Sequence, residues 1–154
     1  MRIAHLAECP AHIPLVASWQ HVEFGYLTPS VGLEARAERL RQSLVPGSLP
    51  LVLLALSEEG VPVGAAGIQA KTITHQHLTP WLSAVVVPPE HRNKGIASAL
   101  ALRALEEAAA LDFDHLFLFT PRNESLYARL GWTTMERTQH NGVEMAIMTR
   151  RTRA

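Results

Sequence analysis

The chain of 154 residues carries 14 basic and 14 acidic side chains, 47% hydrophobic residues and a single cysteine, Cys9. Balanced charge provides no global field toward nucleic acid or anionic lipid, the apolar content excludes intrinsic disorder, and one cysteine forms neither an internal disulfide nor a cysteine zinc cluster. The length fits one domain over residues 1–154, and with no signal-like or membrane-length apolar run the expected setting is a reducing cytoplasm.

Residues 2–6 alternate loosely and predict a short strand. A helical stretch follows Pro10, runs through Trp19 and Val22, and ends at Gly25. Residues 30–45 set Leu33, Ala37, Leu40 and Leu44 at spacings of three and four, with Glu34, Arg36, Glu38 and Arg41 elsewhere, which predicts an amphipathic helix stopped by Pro46 and Gly47. Residues 49–56 and 61–73, joined by a turn at 57–60, predict an antiparallel hairpin in which Gly64 and Gly67 mark a bulge. Residues 82–87 form a further strand, closed by Pro88 and Pro89 because proline cannot donate to a ladder. From Gly95 to Leu111 an alanine- and leucine-rich stripe predicts the clearest helix. Residues 115–119 then read as a buried strand and residues 123–130 as a short helix, with Asn123 its N-cap and Gly131 its left-handed end. A final hairpin turns at Asn141-Gly142. The order is strand, two helices, three strands, helix, strand, helix and two strands. It predicts an α/β (α+β) fold, with a mixed, mostly antiparallel sheet of six or seven strands and about four helices on both its faces.

The chemistry concentrates between Val85 and Ala97, where strand, tight turn and helix start follow one another directly. The first N–H groups of a helix lack internal partners and sit at the positive end of its dipole, so they bind phosphate oxygens. Gly95 lets the backbone approach a ligand, Ala97 keeps the next turn uncrowded, and Arg92 and Lys94 add positive charge. A pyrophosphate site is the expectation. The Walker order Gly-Lys-Ser/Thr and the three-glycine dinucleotide fingerprint are both missing.

The pattern Arg92-x-x-Gly95-x-Ala97, set after a hydrophobic strand and opening a long helix, resembles the first signature of the GNAT superfamily of N-acetyltransferases. The strand ending at Thr120, followed by Tyr127 and the pair Gly131-Trp132, is similar to the family's second signature. The likeness covers about half the chain, residues 79–150; before that only the order of elements matches. It implies acetyl-CoA as co-substrate, with its pantetheine arm in a gap beside the strand that ends in the proline-rich turn. Val85 and Val87 would bond that arm through their backbone. The coenzyme contacts it implies are Val85, Val86, Val87, Arg92, Asn93, Lys94, Gly95, Ile96, Ala97, Ser98 and Thr120, with no metal. Thr120 is a departure, since many members carry asparagine there.

The implied reaction is direct transfer of acetyl to a primary amine of a small molecule, peptide or protein N-terminus, without a covalent enzyme intermediate. A lysine-like amine has a pKa of about 10.4, so presenting it neutral at pH 7 costs roughly 4 to 5 kcal/mol and calls for a base or a desolvating pocket. Glu23, His75, His77 and water remain open for that role. An unpaired backbone N–H near Val85 would stabilise the oxyanion. Tyr127 by itself reads as a core aromatic beside Leu126 and Leu130; the resemblance makes it the general acid, with a phenol pKa near 10. Trp19, Phe24, Tyr26 and Trp81 are expected to rim the acceptor site. Cys9 reads as a small buried hydrophobe rather than a nucleophile, and His75-x-His77 lacks a third zinc ligand of recognisable spacing.

A second reading is a non-catalytic acyl-CoA-binding sensor, for which the phosphate turn alone would suffice; Tyr127 favours the enzyme. A third, an unrelated nucleotide-binding domain, would prefer ATP to coenzyme A. No acidic cluster suits a polyamine or aminoglycoside. Acetyl-CoA and an amine are the expected partners, with no nucleic acid or membrane, and a homodimer is left open.

Overall fold

The computed structural model of the protein describes residues 1–72, 75 and 77–153. Its elements follow the expected order: β1 (Arg2–His5), α1 (Ile13–Phe24), α2 (Leu33–Arg41), β2 (Leu51–Leu56), β3 (Pro62–Gln69), β4 (Trp81–Val86), α3 (Ile96–Ala110), β5 (His115–Thr120), α4 (Glu124–Arg129), β6 (Thr133–His140) and β7 (Val143–Arg151). The strands form one seven-stranded sheet in the order β1-β2-β3-β4-β5-β7-β6. Every pairing is antiparallel except β4 with β5.

The sheet alternates its side chains between two cores. Leu53, Ile68, Leu82, Leu116 and Leu118 face α3 and gather with its Leu100, Ala104 and Ala108. Tyr127 of α4 and Trp132 belong to the same cluster. The other face of β1 to β4 presents Val52, Leu54, Ala65 and Val86 to Val16 and Ala17 of α1 and Leu40 of α2. Helices therefore cover both faces, and burying each leucine-sized side chain contributes about 1.5–3 kcal/mol.

Four local expectations change. The second helix is shorter than residues 30–45: it occupies Leu33–Arg41, with one 3₁₀ turn at Gln42–Leu44. Within it Leu33 is half exposed whereas Arg36, expected on the polar side, is 6% exposed. Its guanidinium donates to two partners at the edge of the core, the Thr28 hydroxyl at 2.9 Å and His21 Nδ1 at 3.4 Å, while desolvation and then the charge of Arg39 lower its pKa. In the first hairpin the bulges expected at Gly64 and Gly67 do form, the β2–β3 register shifting beside Gly64 and the β3–β4 register between Ala65 and Gly67, and Gly64 also admits a close approach of α3. The expected run to residue 73 stops at Gln69, and residue 73 lies outside the described residues. At the start of α4 the Asn123 side chain caps nothing; Thr120 Oγ1 instead accepts the Asn123 N–H at 2.9 Å.

The closing hairpin turns as expected, with both Asn141 (φ 51) and Gly142 (φ 79) in the left-handed region that a two-residue hairpin loop requires. No helix among the described residues is long and apolar enough to cross a membrane.

Candidate active site

The parallel neighbours β4 and β5 touch at one registered pair only, Trp81 with Phe117. Beyond it the strands separate, and β4 is held solely by β3 on its other side. The cause lies in β4 itself. Between the pairs Gly67–Ser83 and Ala65–Val86 it carries one more residue than β3, and Ala84 takes up the excess at φ 52. A bulge of this kind bends its strand and aims it away from a neighbour. Val85 and Val87 turn their side chains toward the α3 cluster and Val86 toward α1, which leaves the backbone edge of this segment facing the opened gap.

After β4, Pro88 and Pro89 end the ladder and a 3₁₀ turn at Pro89–His91 leads to the start of α3. Asn93 (φ 64) and Gly95 (φ 78) are both left-handed, which curls the chain into a concave turn. Among the described residues, the N–H groups of residues 93–98 donate to no protein acceptor; the first amide of the helix ladder to do so is Ala99, bonded to Gly95 at 3.0 Å. A β-carbon at Gly95 would meet nothing within 4 Å, so the turn stands open on that side. Arg92 braces it, its Nε donating to Val87 O at 2.9 Å and its other nitrogen lying 3.3 Å from Glu23 of α1. Six free amides at the positive end of a 15-residue helix, beside an arginine, suit a diphosphate.

Tyr127 is 5% exposed and lies edge-on to Trp132, ring centres 5.9 Å apart. Burial pushes its phenol from 10.0 up to about 12, so it is more firmly protonated and a weaker acid than its type alone suggests. Thr120, also buried, spends its hydroxyl on the Arg122 and Asn123 amides that start α4. It thus fixes the short helix on which Tyr127 rides.

The three side chains considered as bases have different surroundings. Glu23 is engaged by Arg92 at the turn before α3. His75 lies 2.8 Å from Glu136 of β6 through Nε2, and its ring is 5.7 Å from the exposed His77 and 6.4 Å from Trp81. The expected aromatic rim does not assemble: Trp19 and Phe24 pack against the α1–α2 core and Trp81 is fully buried against Phe117. Tyr26 alone of the four is exposed, under the Arg122 guanidinium at 4.6 Å. Sequence reasoning missed Glu136 and Ser83, the latter with a buried hydroxyl that has no partner among the described residues. Neither carries a local signal, since each acquires its neighbours through the sheet.

A cleft of about 1030 Å³, lined in part by Thr120 and Trp132, runs between α4 and the β6–β7 ribbon. Glu124 and Arg137 clasp each other there through two 2.8 Å bonds, and hydrogen bonds from Arg137 and then Thr134 hold the Glu124 carboxyl below its ordinary range.

A family model described as "Acetyltransferase (GNAT) family" matches residues 14–132. No curated protein matches the sequence. Among solved structures, an aminoglycoside 6'-N-acetyltransferase complexed with coenzyme A superposes with a TM-score of 0.78 at 13% identity, over 100% of this chain and 98% of the other. The aminoglycoside 6'-N-acetyltransferase from Enterococcus faecium gives 0.77 at 13% identity, with the same coverage. A spermidine N-acetyltransferase from Vibrio cholerae, in complex with CoA and spermine, gives 0.75 at 14% identity, over 98% and 95% of the two chains.

Proposed function

Because the chain belongs to the GNAT acetyltransferase family, we propose that it transfers an acetyl group from acetyl-CoA directly to a primary amine. The observation that carries this reading is the run of unbonded amides at residues 93–98, next to a strand that has parted from its parallel neighbour. The amides, with Arg92 and Lys94, would hold the coenzyme's diphosphate through Asn93, Gly95, Ile96, Ala97 and Ser98. The parted edge at Val85, Val86 and Val87 would bond the pantetheine amides in the manner of an added strand.

A thioester held in that gap would present its carbonyl to the backbone N–H groups around Val85, which lie in a fixed frame and need no reorganisation as negative charge develops on oxygen. The attacking nitrogen forms the new C–N bond and the C–S bond breaks. Tyr127 supplies the proton for the departing sulfur. With its pKa near 12 the phenol is protonated throughout the neutral range, and it gives up its proton only as the thiolate forms beside it. Thr120 supports this role by fixing the α4 turn.

The acceptor would enter from the face that carries α1 and α2. The carboxylates identified near this face, Glu23 and Glu136, are each already paired with a cation or a histidine. This supports an acceptor with one reacting amine over a polycation. The test is free-thiol release from acetyl-CoA across a panel of amino acids, peptides, polyamines and aminoglycosides, with calorimetry of coenzyme A binding alongside. Micromolar coenzyme A affinity together with amine-dependent thiol release is expected. Coenzyme A binding without release to any amine would point instead to the sensor reading, and absence of binding would remove both.

A further inference from the structure

The end of α1 spans the mouth of the gap between β4 and β5. On the β4 side Glu23 meets Arg92, which in turn holds the carbonyl of Val87 just past the strand. On the β5 side Tyr26 lies under the guanidinium of Arg122, two residues past the end of the strand at Thr120, with 4.6 Å between the guanidinium carbon and the ring centre. Glu23 and Tyr26 are about one helical turn apart, because Gly25 continues the helical backbone beyond α1. A third contact completes the frame: Asn141 of the β6–β7 turn donates through Nδ2 to the Leu27 carbonyl at 3.4 Å. Segments far apart in the chain thus meet around residues 23–27, on the side from which the acceptor would enter.

Within this frame Arg122 keeps its charge uncompensated. Glu23 is taken by Arg92, and Glu124, the acidic residue nearest Arg122 in the chain, is held by Arg137 through two 2.8 Å bonds and by Thr134. Among the described residues Arg122 forms no ion pair, and neither its guanidinium nor the Tyr26 hydroxyl has a hydrogen-bond partner. Both side chains are exposed. A guanidinium held over an aromatic face is steadied there, yet it keeps N–H donors in its own plane that match the two oxygens of a carboxylate.

We infer that Arg122, steadied by Tyr26, is the specificity-determining residue of the acceptor site and takes a carboxylate on the substrate, so that the molecule acetylated is of the amino-acid type, with one amine and one carboxylate. The inference rests on the acetyl-transfer reading above and names the substrate class for it. A polycationic amine would bring further ammonium groups against an unpaired guanidinium and find Glu23 and Glu124 already occupied, whereas a carboxylate pairs with Arg122 and displaces only water. The amides proposed for the diphosphate belong to the β4 side of the gap and Arg122 to the β5 side, so the two anions do not compete for one cation.

The test uses the full chain, acetyl-CoA and matched acceptors: straight-chain amino acids of increasing separation between amine and carboxylate, from glycine to aminohexanoate, and the methyl ester of each. The quantity read is the ratio of kcat/KM for acid over ester, compared between wild type and variant so that intrinsic amine reactivity cancels. At the preferred separation this ratio should fall about 10- to 100-fold in Arg122→Gln, through KM, the range for loss of a charge-assisted bond. Tyr26→Leu should lower it several-fold, and Arg122→Glu should shift preference toward diamines. Coenzyme A affinity and Tm of Arg122→Gln should match the wild type. An unchanged ratio at every separation, a loss that falls equally on acid and ester, or a wild type that acetylates other amines but none of the acids would overturn the carboxylate contact while leaving acetyl transfer standing. Weakened coenzyme A binding in Arg122→Gln would overturn it too, by assigning the guanidinium to the coenzyme. Absence of thiol release in the wild type with every amine would overturn acetyl transfer itself, and the substrate class with it.

Discussion

Gly64 of β3 lies so close beneath Ile96, the first residue of α3, that a β-carbon on the glycine would stand 2.8 Å from Ile96 Cγ2. The same atom would meet Leu100 Cδ1 and the Val86 carbonyl oxygen at 3.3 Å. The helix whose first amides form the proposed diphosphate site is thereby pressed onto the sheet where β4 ends.

Gly64→Ala should therefore destabilise the protein by about 1–3 kcal/mol, the usual cost of overpacking a filled core. Urea denaturation would measure it as a lower midpoint at unchanged m-value. Coenzyme A should also bind more weakly to this variant, because relief of the clash moves Ile96 and the adjoining amides.

Arg92 links the turn before α3 to α1 through Glu23 and to Val87, the residue that follows β4. Its exposed pairing with Glu23 is worth little by itself, whereas a charge-assisted bond to a diphosphate contributes about 1.5–3 kcal/mol. Arg92→Ala should accordingly raise the coenzyme A Kd about 10- to 100-fold with a small change in Tm. Calorimetry at two salt concentrations would check this, since the wild-type affinity should fall more steeply with salt than that of the variant.

Tyr127→Phe removes the phenol oxygen and keeps the ring that packs against Trp132. We expect kcat to fall about 100- to 10,000-fold, the range for loss of a positioned proton donor. Coenzyme A affinity should be unaltered. Steady-state kinetics with the best amine of the panel, together with calorimetry, separates the two quantities, and full turnover in the variant would remove Tyr127 from the mechanism.

The same phenol should set a limit to stability at high pH. Its folded-state pKa, about 12, is raised above the ordinary 10.0, so the stability associated with keeping it protonated is complete below pH 10 and is lost as pH climbs from 10 through 12. Two units correspond to about 2–3 kcal/mol. Chemical denaturation from pH 9 to 12 should show a steeper decline in the wild type than in Tyr127→Phe. Parallel curves would mean that the phenol is not desolvated in solution.

What could be read from the sequence was whatever depends on near neighbours along the chain. The alanine and leucine stripe of α3, the proline stop after β4 and the Asn141-Gly142 turn each carry their cause within a few residues, and each forms where expected. The turn of free amides before α3 belongs with them, because a helix N-terminus preceded by a left-handed glycine presents its free amides by local geometry alone. Arg36 shows where such reading stops. The helical period puts it among polar neighbours, yet its partners Thr28 and His21 come from the preceding helix and loop, and only the acceptors they bring make its interior position tolerable.

By itself, then, the chain determined the order of its elements, the two-sided sheet and the cradle of amides, all products of periodicity and backbone stereochemistry acting over short range. Tertiary structure decided the rest of the site: the parting of β4 from β5 at Trp81 and Phe117, the desolvation that raises Tyr127, and the meeting of His75 with Glu136 across 61 positions. Those features depend on which strands become neighbours and on what is excluded from water when they do. No pattern confined to one segment encodes them, because each is a property of two segments brought together by the sheet.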